Sequence, residues 1–382
     1  MSYNNEKRMS EKNVIIVFPS IYSLNKIKTL ITSIAQTLRI KNQPVNTIRQ
    51  DESVIVVDAS DPVLASSAIS MLFGIERVAI SREVDSNFDS ALASIVNIGL
   101  SLLLRGETFH IKVEGKTKNF LVKDLEIAAT ASLIDKSVAL QVKPASEEDH
   151  DKLIYTFLTD SHAYVCIFID KGLGGLPYGS QGKKILCCIY DELSAISCLQ
   201  TIKMGFDVKF LICYRNESDL LRLSKMIVKI IPRVNQETIF LNVCRLTGNS
   251  SLLTMINTIT HIMISLALKE KINRIALATS PMIFPASFVE SNSYLVFKNK
   301  LFPWFPLSGI DNGILENARE IGLEKYISNL KELCKKRLDE KKVSISEASK
   351  NAKDSLKTLK SISITLGPNN LHDIIDSLKS QH

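Results

Sequence analysis

Residues 171–194 read KGLGGLPYGSQGKKILCCIYDELS. Within them Ile185-Leu186-Cys187-Cys188-Ile189 is a short, unbroken apolar run. It lacks the polar alternation of a half-exposed strand, so it reads as a strand covered on both faces. Three more runs of this kind follow: DVKFLICY (207–214), ETIFLNVCRL (237–246) and RIALATS (274–280). They alternate with helical periodicity over Leu193–Met204, Ser218–Ile231 and Leu252–Lys271. Strand and helix alternating in this way predict a doubly wound α/β domain built on a parallel sheet. Its ligand crevice is expected beyond the carboxyl ends of the strands. Tyr190-Asp191-Glu192 is one such end, and it carries two acids and no glycine.

Working outward to the N-terminus, the pattern differs. Val14–Phe18 reads as a strand, Leu24–Leu38 as a helix, ESVIVVDA (52–59) as a strand, DPVLASSAISMLFGI (61–75) as a helix and ERVAISREV (76–84) as a strand. Asp61 is the expected N-cap of the second helix, with Pro62 at its first position. This β-α-β-α-β order predicts a small ferredoxin-like α+β unit. A second unit follows, with helices at Asn87–Leu104 and Lys123–Leu133 and strands at ETFHIKVEG (107–115), SVALQVKP (137–144) and AYVCIFID (163–170). The segment ASEEDHDK between the last two reads as a loop.

Composition sets bounds on function. A chain of 382 residues with 45% hydrophobic and 23% charged residues is ordinary globular material for two or three domains. The net charge of +7 permits a polyanionic partner without requiring one. Residues 331–360 hold ten Lys/Arg against five Asp/Glu, so much of the excess is local. The seven cysteines form no CxxC and no Cys/His zinc spacing, and most lie in apolar strands. They read as buried reduced thiols, which fits a cytoplasmic protein. No signal-peptide core is visible in MSYNNEKRMSEKN, and Ala91–Leu104 is too short to span a bilayer, so no membrane partner is expected.

Several motifs together resemble one family. SMLFGIERVAISREV resembles the N-terminal ferredoxin-like domain of the tRNA 4-thiouridine synthetases, the ThiI-type sulfurtransferases also linked to thiamine biosynthesis. GETFHIKVEGKTKNFLVKDLEI is similar to the THUMP domain that follows in that family, with Phe109, Lys118, Phe120, Glu126 and Ile127 in register. KGLGGLPYGSQGK is similar to the family's joint between THUMP and ATP-pyrophosphatase domains, and FPLSGIDNGILENAREIGLEKYIS to its C-terminal motif. The resemblance implies an N-terminal stretch 1–13 without structure and a ferredoxin-like domain over 14–85. A THUMP-like domain over 86–171 and a linker at 172–182 come next. An adenine-nucleotide-hydrolase (PP-loop) type domain over 183–334 and a basic tail over 335–382 complete the plan. A helix is expected within 347–366 and a short one near 371–381. The resemblance also implies tRNA as partner, and a homodimer or a heteromer with an active homologue.

The departures bear on activity. The family's phosphate loop, S-G-G-x-D-S, is represented here by Ile189, Tyr190, Asp191, Glu192, Leu193 and Ser194, of which only the last serine is kept. Glycines there let backbone N–H groups approach phosphate at a helix N-terminus. Tyr190 and Asp191 put side chains in that space, and Asp191 and Glu192 add like charge. At about 4 Å and an effective dielectric near 20, each such pair costs roughly 4 kcal/mol. In the segment SPMIFPASFVE (280–290) only Ala286 and Ser287 match the family's second loop. Phe305 stands for an arginine, Asn312 for a lysine, and Asp311 is kept. The degenerate ATP loop, Tyr190, Asp191, Glu192 and Ser194, therefore implies no bound cofactor, with ATP and magnesium expected only if the family activity survives.

Two sets of candidates remain. Cys334, in LKELCKKR, falls where the family carries its sulfur-handling cysteine, and Lys335, Lys336 and Arg337 are expected to favour its thiolate. Against this stands an ordinary cysteine in a basic helix. Arg105, Lys112, Lys116, Lys118 and Lys123 form the candidate RNA-binding set, positioned to neutralise phosphates. Glu114 and Gly115 replace the family's basic doublet. His110, His162 and His261 are isolated in sequence and no metal site is expected. The combined expectation is a noncatalytic tRNA-binding relative, with ATP-dependent sulfur transfer through Cys334 as the alternative.

Overall fold

The computed structural model describes residues 12–248, 250–336, 338 and 343–367. It divides into two compact units, one of residues 1–39 and 43–174, the other of 40–42 and 175–382.

The first unit contains strands β1 (Lys12–Pro19), β2 (Val45–Asp51), β3 (Val54–Ala59), β4 (Ile75–Asp85), β5 (Thr108–Gly115), β6 (Lys143–Pro144), β7 (Lys152–Leu158) and β8 (His162–Gly174). Its helices are α1 (Ile27–Ile40), α2 (Pro62–Ser70), α3 (Phe88–Leu102) and α4 (Val122–Lys136). The strands expected for two domains, 14–85 and 86–171, join in one eight-stranded sheet of order β2-β3-β1-β4-β8-β7-β5-β6. The seam is the long antiparallel pair β4–β8. Asp61 caps α2, its carboxylate accepting the amides of Val63 and Leu64 at 3.0 and 2.9 Å. The strand expected over 137–144 is instead a 3-10 turn at Val138–Leu140 and the two-residue β6. Its residues follow α4 too closely for a full strand, and Gln141 turns the chain with φ 55°.

Alternation along β1 sorts its side chains onto two cores. Ile15 and Val17 pack with Leu30, Ile34 and Leu38 of α1 and Ile69 of α2. Val14, Ile16 and Phe18 face the other way, into a cluster with no helix in it: Val54, Val56, Ala79, Tyr155, Tyr164 and Cys166. A helix-free core forms because the sheet curls. Arg49 on β2 reaches the Tyr164 hydroxyl on β8 at 3.3 Å, although β3, β1 and β4 lie between them in the sheet. A third core joins α3 and α4 to Phe109, Ile111, Val113 and Ile154.

The second unit contains β9 (Lys184–Ile189), β10 (Asp207–Tyr214), β11 (Thr238–Arg245), β12 (Arg274–Ala276), β13 (Phe302–Trp304) and β14 (Lys360–Thr365). Its helices are α5 (Glu192–Lys203), α6 (Glu217–Ile230), α7 (Leu252–Lys269), α8 (Ala286–Lys298), α9 (Asn312–Glu320), α10 (Glu324–Lys336) and α11 (Ile345–Leu356). The sheet order is β13-β12-β9-β10-β11-β14. The first five strands are parallel and β14 runs antiparallel to β11. The doubly wound architecture expected from the opening stretch is present.

Two differences from the sequence reading concern this unit. Part of the segment expected as a tail is built into the fold. Ala348 and Ala352 of α11 and Ile362 and Ile364 of β14 are buried. The expected helix within 347–366 stops at Leu356, after which Ser361-Ile362-Ser363-Ile364 alternates across a strand. The short helix expected near 371–381, and residues 1–11, lie outside the described residues. Among the described residues α7 is long and apolar enough to cross a membrane, with a mean hydropathy of 1.4 over its 18 residues. Two thirds of it is buried in this unit, where it packs on α8 and α11.

Candidate functional site

Strand order locates the crevice. From β9 the chain moves outward through β10 and β11, then returns to the other side of β9 with β12. The switch point lies between the carboxyl ends of β9 and β12, where doubly wound sheets place ligands. Two segments leave the sheet there: Tyr190-Asp191 into α5, and the stretch from Leu277 to Pro285 into α8.

The turn after β9 satisfies its own polar groups. Asp191 is the N-cap of α5, and its carboxylate accepts the Ser194 amide at 2.8 Å. The Ser194 hydroxyl accepts the amides of Tyr190 and Asp191 at 2.8 and 2.9 Å and lies 2.8 Å from the Asp191 carbonyl. This is a reciprocal capping box. Three N–H groups at this helix end, those of Tyr190, Asp191 and Ser194, are thus bonded to the chain's own oxygens. Tyr190 and Ser194 are buried, with 8% and 1% of their surface exposed. Burial pushes the Asp191 carboxyl up, more than its bonds to Ser194 lower it. Burial likewise raises the Tyr190 phenol, and the nearby Asp191 adds to that rise. The neighbouring cation is also engaged: Arg222 on α6 ion-pairs with Glu192 and lies 3.3 Å from Asp219.

The other expected positions fall around the same end of the sheet. Ala286 and Ser287 begin α8, whose N-cap is Pro285, without a side-chain cap. Asp311 caps α9 by accepting the Ile314 amide at 2.9 Å, which gives its retention a structural reason. Asn312 is the exposed first residue of that helix. Cys334 lies in the last turn of α10, and the hydroxyl of Tyr326 on the same helix feels Asp191, Glu192, Arg222 and Cys334. The thiolate expected at Cys334 is not favoured. Burial raises its pKa, and Lys335 and Lys336 each lie 3.6 Å from Glu332. Arg337 lies outside the described residues.

The glycine-rich stretch 171–183 carries the division between the units, which falls between Gly174 and Gly175. Gly175 has φ +74°, and a Cβ there would come within 2.5 Å of the Lys203 carbonyl oxygen. Of residues 172–182, expected as linker, 172–174 end β8 and 175–182 are tied to the end of α5. The Leu176 amide donates to Lys203 and the Gln181 amide to Gly205, at 2.8 and 3.0 Å. Tyr178 donates its hydroxyl to Asp207 at 2.7 Å.

In the first unit the RNA-binding candidates lie along β5, the turns at its two ends and the start of α4. Arg105 and Lys116 are exposed and have no ion pair among the described residues. Three others are engaged with carboxylates: Lys112 with Glu114 and Glu147, Lys118 with Asp160 at 3.0 Å, and Lys123 with Glu126 at 2.8 Å. Glu114 is no stray replacement. Burial raises its carboxyl, but hydrogen bonds from Tyr155, Lys112 and Arg77 outweigh it and hold the group below its usual range. Lys123 also borders an open cavity of about 390 Å³ lined by Phe109, His110, Ile127, Ile134 and Ala145. Two histidines read as isolated have neighbours: His110 lies 5.7 Å from His150 and 3.1 Å from the Ala145 carbonyl, and His162 lies between two carboxylates. His261 has an imidazole pKa lowered by burial, as packing in α7 implies.

Fold and site together define a THUMP-plus-PP-loop-like architecture in which the turn after β9 is closed on itself. No protein-family profile matches the chain. By sequence, the chain is 27% identical over 192 residues to a probable tRNA sulfurtransferase of Methanosarcina mazei, covering 48% of this chain and 47% of that protein. It is 24% identical over 196 residues to one of Latilactobacillus sakei, covering 49% and 47%. The chain thus spans about half the length of the curated relatives it matches. By structure, it overlays a 4-thiouridine synthetase, solved as an RNA complex with bound ATP, with TM-score 0.66 and 15% identity, over 93% of this chain and 100% of that one. PH1313 from Pyrococcus horikoshii Ot3 overlays with TM-score 0.62 and 17% identity, over 84% and 98%. Over about half of its length the chain is similar to the tRNA sulfurtransferases.

Proposed function

We propose that this protein is an RNA-binding relative of the tRNA sulfurtransferases that has given up ATP-dependent catalysis, with tRNA as its partner. The observation that carries the loss is the Asp191–Ser194 capping box, which fills the anion position of the helix end with the chain's own carboxylate. Retention of the whole THUMP-like segment supports an RNA partner, as does the RNA bound by the 4-thiouridine synthetase of the same fold. Local charge supplies a smaller part, because Lys112, Lys118 and Lys123 must exchange carboxylates for phosphates. Binding is therefore modest in strength and salt-sensitive. Filter binding with total tRNA at several salt concentrations tests it. The expected log–log slope is about −0.7 to −0.9 for each phosphate neutralised. No retention at low ionic strength would overturn the reading.

A second reading keeps sulfur transfer at Cys334, and the grouping of Cys334, Asp191 and Glu192 about Tyr326 favours it. Thiouridine formation by purified protein with ATP and a sulfur donor, lost in Cys334→Ser, would establish that reading.

A further inference from the structure

Helix α11 carries positive charge that the turn after β9 does not use. One face of the helix is fixed to the fold. Ala348, Ala352 and Ser355 are buried there, the Thr247 amide donates to the Ser355 hydroxyl at 2.9 Å, and Asn351 donates to the Ser250 hydroxyl at 3.0 Å. At the C-terminal end, the amide of Arg245, the last residue of β11, donates to the Thr358 hydroxyl at 2.9 Å.

The other face holds the charge. Lys350, Lys353 and Lys357 recur at three- and four-residue spacing, so they share one side of the helix. All three are exposed, as is Arg245 beside Thr358. At 1.5 Å per residue the lysines span about 10 Å. Lys350, Lys353 and Arg245 have no ion pair among the described residues, whereas Lys357 pairs with Asp354 at 2.7 Å. That bond, helped by Lys350, holds the Asp354 carboxyl below its usual range. Glu347, in the first turn, accepts the Ser250 hydroxyl at 2.8 Å. Four cations thus meet two acids. In the first unit the balance is tighter, since Lys112, Lys118 and Lys123 are all engaged with carboxylates.

Helix stability does not account for this row. Like charges three and four residues apart destabilise a helix. Cations do favour a helix C-terminus, but only within the last turn, and Lys350 lies before it. A row held on a packed helix meets a polyanion without the entropic cost of ordering a tail.

We propose that the outer face of α11, with Arg245, is a second RNA surface, on which Lys350, Lys353, Lys357 and Arg245 bind backbone phosphates. It rests on the RNA partner proposed above and adds a site in the second unit. The contacts are to phosphate, so they add affinity and salt dependence without reading sequence. Lys357 exchanges Asp354 for phosphate on binding.

The test uses the full chain and a variant combining Lys350→Gln, Lys353→Gln and Lys357→Gln. Filter binding with total tRNA is measured against salt, beside flotation with vesicles of phosphatidylcholine and phosphatidylserine. The variant is expected to lose about tenfold or more in affinity at low salt, with a log–log slope shallower by about 2. Arginine at the same three positions is expected to restore both. No tRNA retention by the wild type overturns this surface together with the function it rests on. Wild-type retention with the same affinity and slope in the glutamine variant overturns this surface alone. Vesicle binding lost in the variant while its tRNA slope is unchanged assigns the charge to a membrane and also overturns it. Should the variant not fold, acetylation of the wild-type lysines decides: tRNA slowing the reaction severalfold at Lys350, Lys353 and Lys357 supports the proposal, and unchanged rates overturn it.

Discussion

Asp191 does with its own carboxylate what a bound anion would do at the start of α5. The cap and the burial act in opposite directions, and substitutions separate them. Asp191→Ala removes the cap and should cost ~1 kcal/mol in urea unfolding. Asp191→Asn keeps the cap and removes the buried charge. Because the folded pKa of Asp191 is raised, its contribution is full when it is protonated and is lost as pH rises through that folded value. Asp191→Asn should therefore match or exceed the wild type at neutral pH and flatten that part of the pH profile. Cys334 gives a second prediction at this scale. With its pKa raised by burial, it should alkylate with iodoacetamide more slowly at neutral pH than a free cysteine peptide. Faster reaction would restore the thiolate expected from its basic neighbours. Those neighbours were plain in the sequence; Glu332, one turn back, was equally plain, and it takes both lysines.

Among elements, β14 carries the clearest consequence. It covers the β11 edge and brings Ile362 and Ile364 into the interior. A chain ending at residue 342 loses α11 and β14, and should unfold at lower urea and aggregate through the uncovered β11 edge. Equal stability of the shortened chain would show that the strand is ornamental. The sequence did carry the strand signal, in the period-two alternation of residues 361–364, but the lysine- and serine-rich helix before it dominated the reading. By contrast the four apolar runs at β9, β10, β11 and β12 were legible, since strands buried on both faces have no other pattern. The strand β2 was not, because Val45–Asp51 is an edge strand of mostly polar residues.

At the scale of the molecule, the features that sequence could not reveal come from curvature and register. Arg49, Asp51, Glu83 and His162 are scattered over more than a hundred positions and meet because the first sheet curls back on itself. No local spacing announces such a cluster. The absence of glycine at Tyr190 and Asp191 was legible in the sequence; the self-capping geometry of that turn needed the fold. That closure is the central claim, and calorimetric titration of the whole protein with magnesium–ATP tests it most directly. The account predicts no saturable heat up to millimolar nucleotide; tight, magnesium-dependent binding would contradict it.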